Sequence, residues 1–167
     1  ELLPGAAVMD TGAAAVLGTL GDPVVAREAA TGGAILVNVG NLHTFAVAVR
    51  GMRVLGLFEH HTGGVTPDNL RELVDALRSG HLTHDDVVAL GGHGAAFAPD
   101  YSTMDPITFV AITGPNRGLV RSLGYYEAVP HGDMMLSGSY GLVEGLLALL
   151  AREGFPTGKS LIATNGR

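Results

Sequence analysis

The chain has 167 residues, 47% hydrophobic and 16% charged, enough apolar material for one buried core and too ordered a composition for a disordered segment. Its net charge is −6 and its ten Lys and Arg residues are scattered, so no nucleic acid is expected as a partner. With no Cys it has no disulfide framework, thiolate zinc site or iron–sulfur cluster, and a cytoplasmic location is expected.

The opening Glu1-Leu2-Leu3 lacks a Met and runs straight into apolar sequence. It suggests a single domain over 1–167 cut from a longer, two-lobed protein, with the missing N-terminal lobe as partner. No charged stretch followed by an apolar one appears at the start, so a secretory signal is not expected, and the apolar run Leu146–Ala151 is too short to span a bilayer, so no membrane is expected.

Residues 5–9 predict a short buried strand ending at Asp10, followed by a small-residue helix over about Ala13–Leu20 and a loop over 21–33. Ala34-Ile35-Leu36-Val37 is a strand by its continuous apolar run. Beyond the Asn38–Leu42 turn, Phe45, Val47 and Val49 alternate with Thr44, Ala46 and Ala48, a period of two that gives a strand with one buried face. Arg50-Gly51-Met52-Arg53 makes a tight hairpin and Val54–Glu59 return beside it. Thr66 then caps a helix with Pro67 at its first position, an apolar stripe of Leu70, Leu73, Val74 and Leu77, and Gly80 at its end. A short apolar segment, Val87–Leu90, leads into Gly91–Gly94. Ile107–Ile112 is a further strand, and a last helix over about Ser139–Arg152 should bury Leu142, Val143, Leu146 and Leu150. The order predicts an α/β fold, a mixed sheet with a β-hairpin and flanking helices.

Four turns share one construction, an apolar strand followed at once by small or polar residues: Asp10-Thr11-Gly12, Asn38–Thr44, Gly91–Gly94 and Thr113–Arg117. Strand ends are where loops of α/β sheets converge on ligands, and glycines let backbone amides approach an anion. Thr11, Asn41, His43 and Thr44 would add side-chain donors. The plain alternative is that each glycine serves only its own turn.

Histidines are the second signal. A metal site could draw on some of His43, Glu59, His60, His93, His131 and Asp133. In Glu59-His60-His61 an extended strand turns adjacent side chains to opposite faces, so His60 and His61 should not chelate one ion together. His81 and His84 flank a helix end and are expected in solvent. Among acid–base candidates (Asp10, Glu59, Asp133 and Glu144), Asp10 and Asp133 stand out beside glycines at element ends, where the helix dipole alone could equally account for them. Arg117 could clamp a carboxylate or phosphate, or simply be exposed. Gly158-Lys159-Ser160 is no phosphate loop, because the first glycine of that motif falls on Glu153. Ser137-Gly138-Ser139 suits a helix cap better than a nucleophile elbow.

The same residues carry a resemblance: Met9-Asp10-Thr11-Gly12, Asn38–Thr44, Gly56–Thr62 with Glu59-His60-His61-Thr62, Gly92-His93-Gly94, Gly114–Arg117, and His131-Gly132-Asp133-Met134-Met135. Together they resemble an uncharacterised microbial family labelled "putative pyruvate formate-lyase activating enzyme", which is similar to the actin, Hsp70 and sugar-kinase ATPases. The resemblance implies a ribonuclease H-like, actin-like lobe that binds a nucleotide or small phosphorylated ligand, possible cofactors being ATP with Mg²⁺. On it, Asn38, Gly40, Asn41, His43 and Thr44 resemble the second phosphate loop, and Gly91, Gly92 and His93 the adenosine-contacting turn. From the residues themselves, Thr11, Gly12 and Arg117 are expected to join them in binding, with Asp10 and Asp133 as catalytic carboxylates. That loop usually opens with Asp, and Asn38 in its place favours binding over hydrolysis. Radical-SAM activation is not expected, because its cluster needs cysteines. The other expectations are a His/carboxylate metal protein and a non-catalytic regulatory lobe.

Overall fold

The computed structural model describes residues 6–156. Six strands form one mixed sheet: β1 (Ala34–Val39), β2 (His43–Arg50), β3 (Arg53–His61), β4 (Gly94–Phe97), β5 (Phe109–Thr113) and β6 (Tyr126–Glu127). They lie in the order β4-β3-β2-β1-β5-β6. β1 to β4 pair antiparallel in succession, whereas β5 runs parallel to β1, and β6 parallel to β5. The expected α/β architecture, a mixed sheet with a hairpin and flanking helices, is therefore present.

β1 is buried on both faces, which is why its apolar run is unbroken. Ile35, Val37 and Val39 pack with Leu70, Leu73, Val74 and Leu77 of α3 (Pro67–Arg78). Ala34 and Leu36 pack with Val16 and Leu20 around α1 (Thr11–Thr19), and with Val25 and Ala29 of α2 (Pro23–Thr31). Thr66 caps α3 as its sequence indicates, with a reciprocal bond from Asn69.

The hairpin contains one irregularity that matters later. Val49 pairs with Val54 but Ala48 pairs with Gly56, so Leu55 is an extra residue on β3. From there to the strand end, every β3 side chain is turned by one position relative to β2.

Four expectations need correction. Residues 6–9 form no strand, and Val8 is 89% exposed. The supposed loop contains α2, started by Asp22 as N-cap and Pro23 in its first turn. Val87 lies in a short helix, α4 (His84–Ala89), and the chain after it forms β4. The last helix, α5 (Ser137–Arg152), leaves Leu142, Val143 and Leu146 about two-fifths exposed. It meets α1 through glycines instead: a Cβ on Gly18 would strike the Ser137 carbonyl, and one on Gly141 the Ala14 carbonyl. The 19-residue stretch Met134–Arg152 has mean hydropathy 1.5 and meets the length and composition of a membrane-spanning helix, more than the run Leu146–Ala151 suggests. Glu1-Leu2-Leu3 and Gly158-Lys159-Ser160 lie outside the described residues.

Candidate functional site

Strand pairing alone assembles a histidine cluster at one end of the sheet. His43 opens β2 and His61 closes β3, and the two are direct cross-strand partners. Glu59 is two residues before His61, hence on the same face, opposite Phe45. The His93 amide donates to the Glu59 carbonyl at 2.9 Å, which delivers His93 to the same edge.

The rings of His43 and His61 are 5.4 Å apart, those of His43 and His93 4.9 Å, and those of His61 and His93 4.2 Å. The Nε2 atoms of His61 and His93 approach to 2.9 Å. One nitrogen from each ring falls within 4.8 Å of the other two. A tetrahedral ion at 2.0–2.1 Å from each nitrogen wants them about 3.3 Å apart, so small side-chain rotations would complete the site. All three histidines are exposed. The Glu59 carboxylate sits behind them, 3.4 Å from His43 Nδ1 and 3.5 Å from His93 Nδ1.

His60 does something different. It is 2% exposed on the opposite face, with Nδ1 2.9 Å from the His61 carbonyl and Nε2 2.9 Å from the Leu90 carbonyl. Both ring nitrogens face backbone carbonyls, to one of which the neutral ring donates, and Gly92 covers the ring so closely that a Cβ would lie 2.8 Å from Cδ2. The expected opposition of His60 and His61 holds, and the residue that joins His43 and His93 is His61, not His60.

A cleft of about 680 Å³ adjoins the cluster. Its walls are Asp10, Thr11 and Gly12 at the start of α1, Asn38 at the end of β1, Gly40 to His43 in the turn, and Phe45, Glu59 and Pro115. Asp10 Oδ1 accepts from the Gly12 and Ala13 amides at 2.9 and 3.1 Å, the ordinary work of an N-cap. Asn116 donates through Nδ2 to the Gly40 carbonyl at 2.9 Å and ties the turn to the end of β5. Thus the first, second and fourth turns share one cleft, and His93 from the third stands in the adjoining cluster.

The remaining candidates lie elsewhere. Thr44 is buried on the opposite face, its hydroxyl 3.1 Å from that of Thr62. Gly91 and Gly92 serve the turn beside His60. Arg117 pairs with Glu127 at 3.2 Å and donates to the Gly114 carbonyl at 3.2 Å. Hydrogen bonds from Arg121 and Arg117 in turn hold the Glu127 carboxyl below the usual carboxylate range. Asp133 caps a short 3-10 turn through the Met135 amide at 2.9 Å, and His131 packs its ring on Tyr140 at 4.6 Å. None of these joins the cleft or the histidine cluster.

A family model described as "Putative pyruvate format-lyase activating enzyme (DUF1786)" matches residues 1–119, a span that holds the whole histidine cluster. No curated protein matches the chain.

Proposed function

The chain belongs to that family, and we propose that within it this domain binds a divalent transition metal through His43, His61 and His93, with the ion facing the adjoining cleft. The observation that carries the reading is the convergence of three exposed histidines at one end of the sheet, with one nitrogen from each within 4.8 Å of the other two. Imidazole suits zinc, cobalt, nickel and iron, whereas magnesium prefers oxygen. Three protein ligands leave a coordination position for a small molecule, and such an ion supplies Lewis acidity to whatever occupies it. His43 and Glu59 line both the cluster and the cleft, so that position lies next to Asp10, Asn38 and Asn41. The chemistry in the family description would call for a cysteine-held cluster, which a chain without Cys does not supply.

The test is zinc and cobalt titration of tag-free protein with elemental analysis. One equivalent should bind, and His43→Ala or His93→Ala should weaken binding roughly a hundred-fold, on the order of 2.7 kcal/mol. Substoichiometric metal, or unchanged affinity in both variants, overturns the reading.

A second reading rests on a different observation, the convergence of two strand-end turns and the start of α1 on one cleft. On it the domain is a ribonuclease H-like, actin-like lobe that takes ATP with Mg²⁺ or another small phosphorylated ligand. The strand order, four antiparallel strands continued by parallel β5 and β6, is compatible with that lobe. Asp10, Thr11, Asn38 and Asn41 offer the oxygen donors magnesium takes, although no Lys or Arg is among the residues lining the cleft. Calorimetry with ATP and Mg²⁺ decides it: affinity lost in Asn41→Ala supports the reading, and no heat into the millimolar range rejects it.

A further inference from the structure

Glu59 has a place in this cluster that its neighbours do not share. Each of its carboxylate oxygens faces a different histidine: Oε1 lies 3.4 Å from His43 Nδ1 and Oε2 3.5 Å from His93 Nδ1. No Lys or Arg pairs with it among the described residues, so its charge is directed at the two rings. The ladder fixes this arrangement twice over, through the pairing of Glu59 with Phe45 on one side and with Gly94 on the other.

We infer that Glu59 is the positioning residue of the histidine triad, holding the Nδ1 edges of His43 and His93 so that their Nε2 atoms are left for the metal. The inference rests on the metal reading above. Its chemistry is that of proton inventory. A carboxylate can only accept, so an imidazole nitrogen beside it is favoured as N–H. A neutral imidazole has one N–H, so placing it on Nδ1 leaves a lone pair on Nε2. Metal-binding histidines commonly have such a partner behind them, which fixes ring orientation and raises the basicity of the ligating nitrogen.

The competing role for Glu59 is a fourth ligand. Two observations weigh against it. The set of ligand atoms that lie mutually within 4.8 Å comprises the three histidines without Glu59. Its two oxygens are also divided between two rings, which sets aside a bidentate ligand. Among the described residues no ion pair joins His61 to a carboxylate. Its Nε2 instead meets His93 Nε2 at 2.9 Å, a contact in which one nitrogen must carry a proton that an incoming ion displaces.

The experiment compares the wild-type chain with Glu59→Gln and Glu59→Asp, using zinc as the probe. Affinity is read by competition with a chromophoric chelator, and histidine tautomers by long-range ¹H–¹⁵N correlation on the zinc-loaded protein. The wild type should show Nδ1–H and metal-bound Nε2 on both His43 and His93. In Glu59→Gln the side-chain NH₂ opposes one of the two Nδ1–H groups, so one tautomer should change and zinc should bind roughly 10–100-fold more weakly. Glu59→Asp, which keeps the charge, should recover part of that loss. Zinc bound through Nδ1 of His43 or His93, unchanged tautomers in Glu59→Gln, or affinity within about two-fold of wild type overturns the inference while leaving the triad reading in place. A wild-type chain that takes up no zinc defeats the triad reading itself and this inference with it.

Discussion

The two faces of the sheet at the end of the β2–β3 hairpin are made of neighbouring residues, yet they have opposite fates. On one face Thr44, His60 and Thr62 are at most 5% exposed and satisfy each other or the backbone, under cover of the Gly91-Gly92 turn that follows α4. On the other face His43, His61 and His93 stand in solvent, and His43 lines the adjoining cleft. Chemical type does not separate the two groups, since histidine occurs in both. What separates them is strand parity together with where the covering elements stop. Buried polar groups must find partners inside the protein, whereas exposed ones keep their lone pairs for a ligand.

The contrast can be broken from either side. Phe58 is fully buried on the closed face, and Phe58→Ala should cost about 3–5 kcal/mol in denaturant unfolding, the range for emptying an aromatic core position. Histidines 60 and 61 give the sharpest pair. His60→Ala should destabilise by about 2–3 kcal/mol, since a backbone carbonyl loses its donor and a buried ring leaves a void, while zinc affinity of the folded fraction stays near wild type. His61→Ala should do the reverse, with stability changed by less than about 0.5 kcal/mol in the absence of metal and zinc affinity reduced roughly a hundred-fold. If both variants lose metal equally, the division between the faces is wrong.

Smaller effects test the supports. Tyr101 is 2% exposed, its hydroxyl donates to the Leu77 carbonyl at 2.6 Å, and burial pushes its phenol up to about 12. The fold favours the protonated form, so this contribution is complete below about pH 10 and is lost as pH rises from 10 towards 12. Tyr101→Phe should cost about 1–2 kcal/mol at neutral pH and flatten that part of the alkaline stability profile. Asn116→Ala, which frees the Gly40 carbonyl from its 2.9 Å bond, should cost about 1 kcal/mol and raise amide exchange over residues 40–42.

The sequence made much of this legible. Period-two alternation on β2, the Arg50–Arg53 hairpin and the Thr66-Pro67 start of α3 follow from local chemistry, and all are present; of the four turns grouped by sequence, three supply the cleft lining and Gly91–Gly94 does not. The choice of His61 over His60 was harder to read. A regular hairpin closed by Arg50 and Arg53 would set His43 opposite His60, and the extra Leu55 moves the partner to His61. The one local hint is Gly56, since an isolated glycine in a strand marks a bulge or a close approach without saying which, and here a Cβ would also meet Phe97. The outward apolar side of α5 was hidden for a related reason. Periodicity locates a stripe, but Gly18 and Gly141 decide which side comes close enough to α1 to be buried. At α2 the signal was present in Asp22-Pro23, and only the small residues around it suggested a loop.

The most direct test of the account is anomalous diffraction at the zinc edge from crystals of the wild-type chain grown with zinc. The account predicts one strong peak bounded by His43, His61 and His93, at about 2.0–2.1 Å from one nitrogen of each, with Glu59 outside the coordination sphere. Zinc seated on other residues, or no peak at that corner of the sheet, would contradict it.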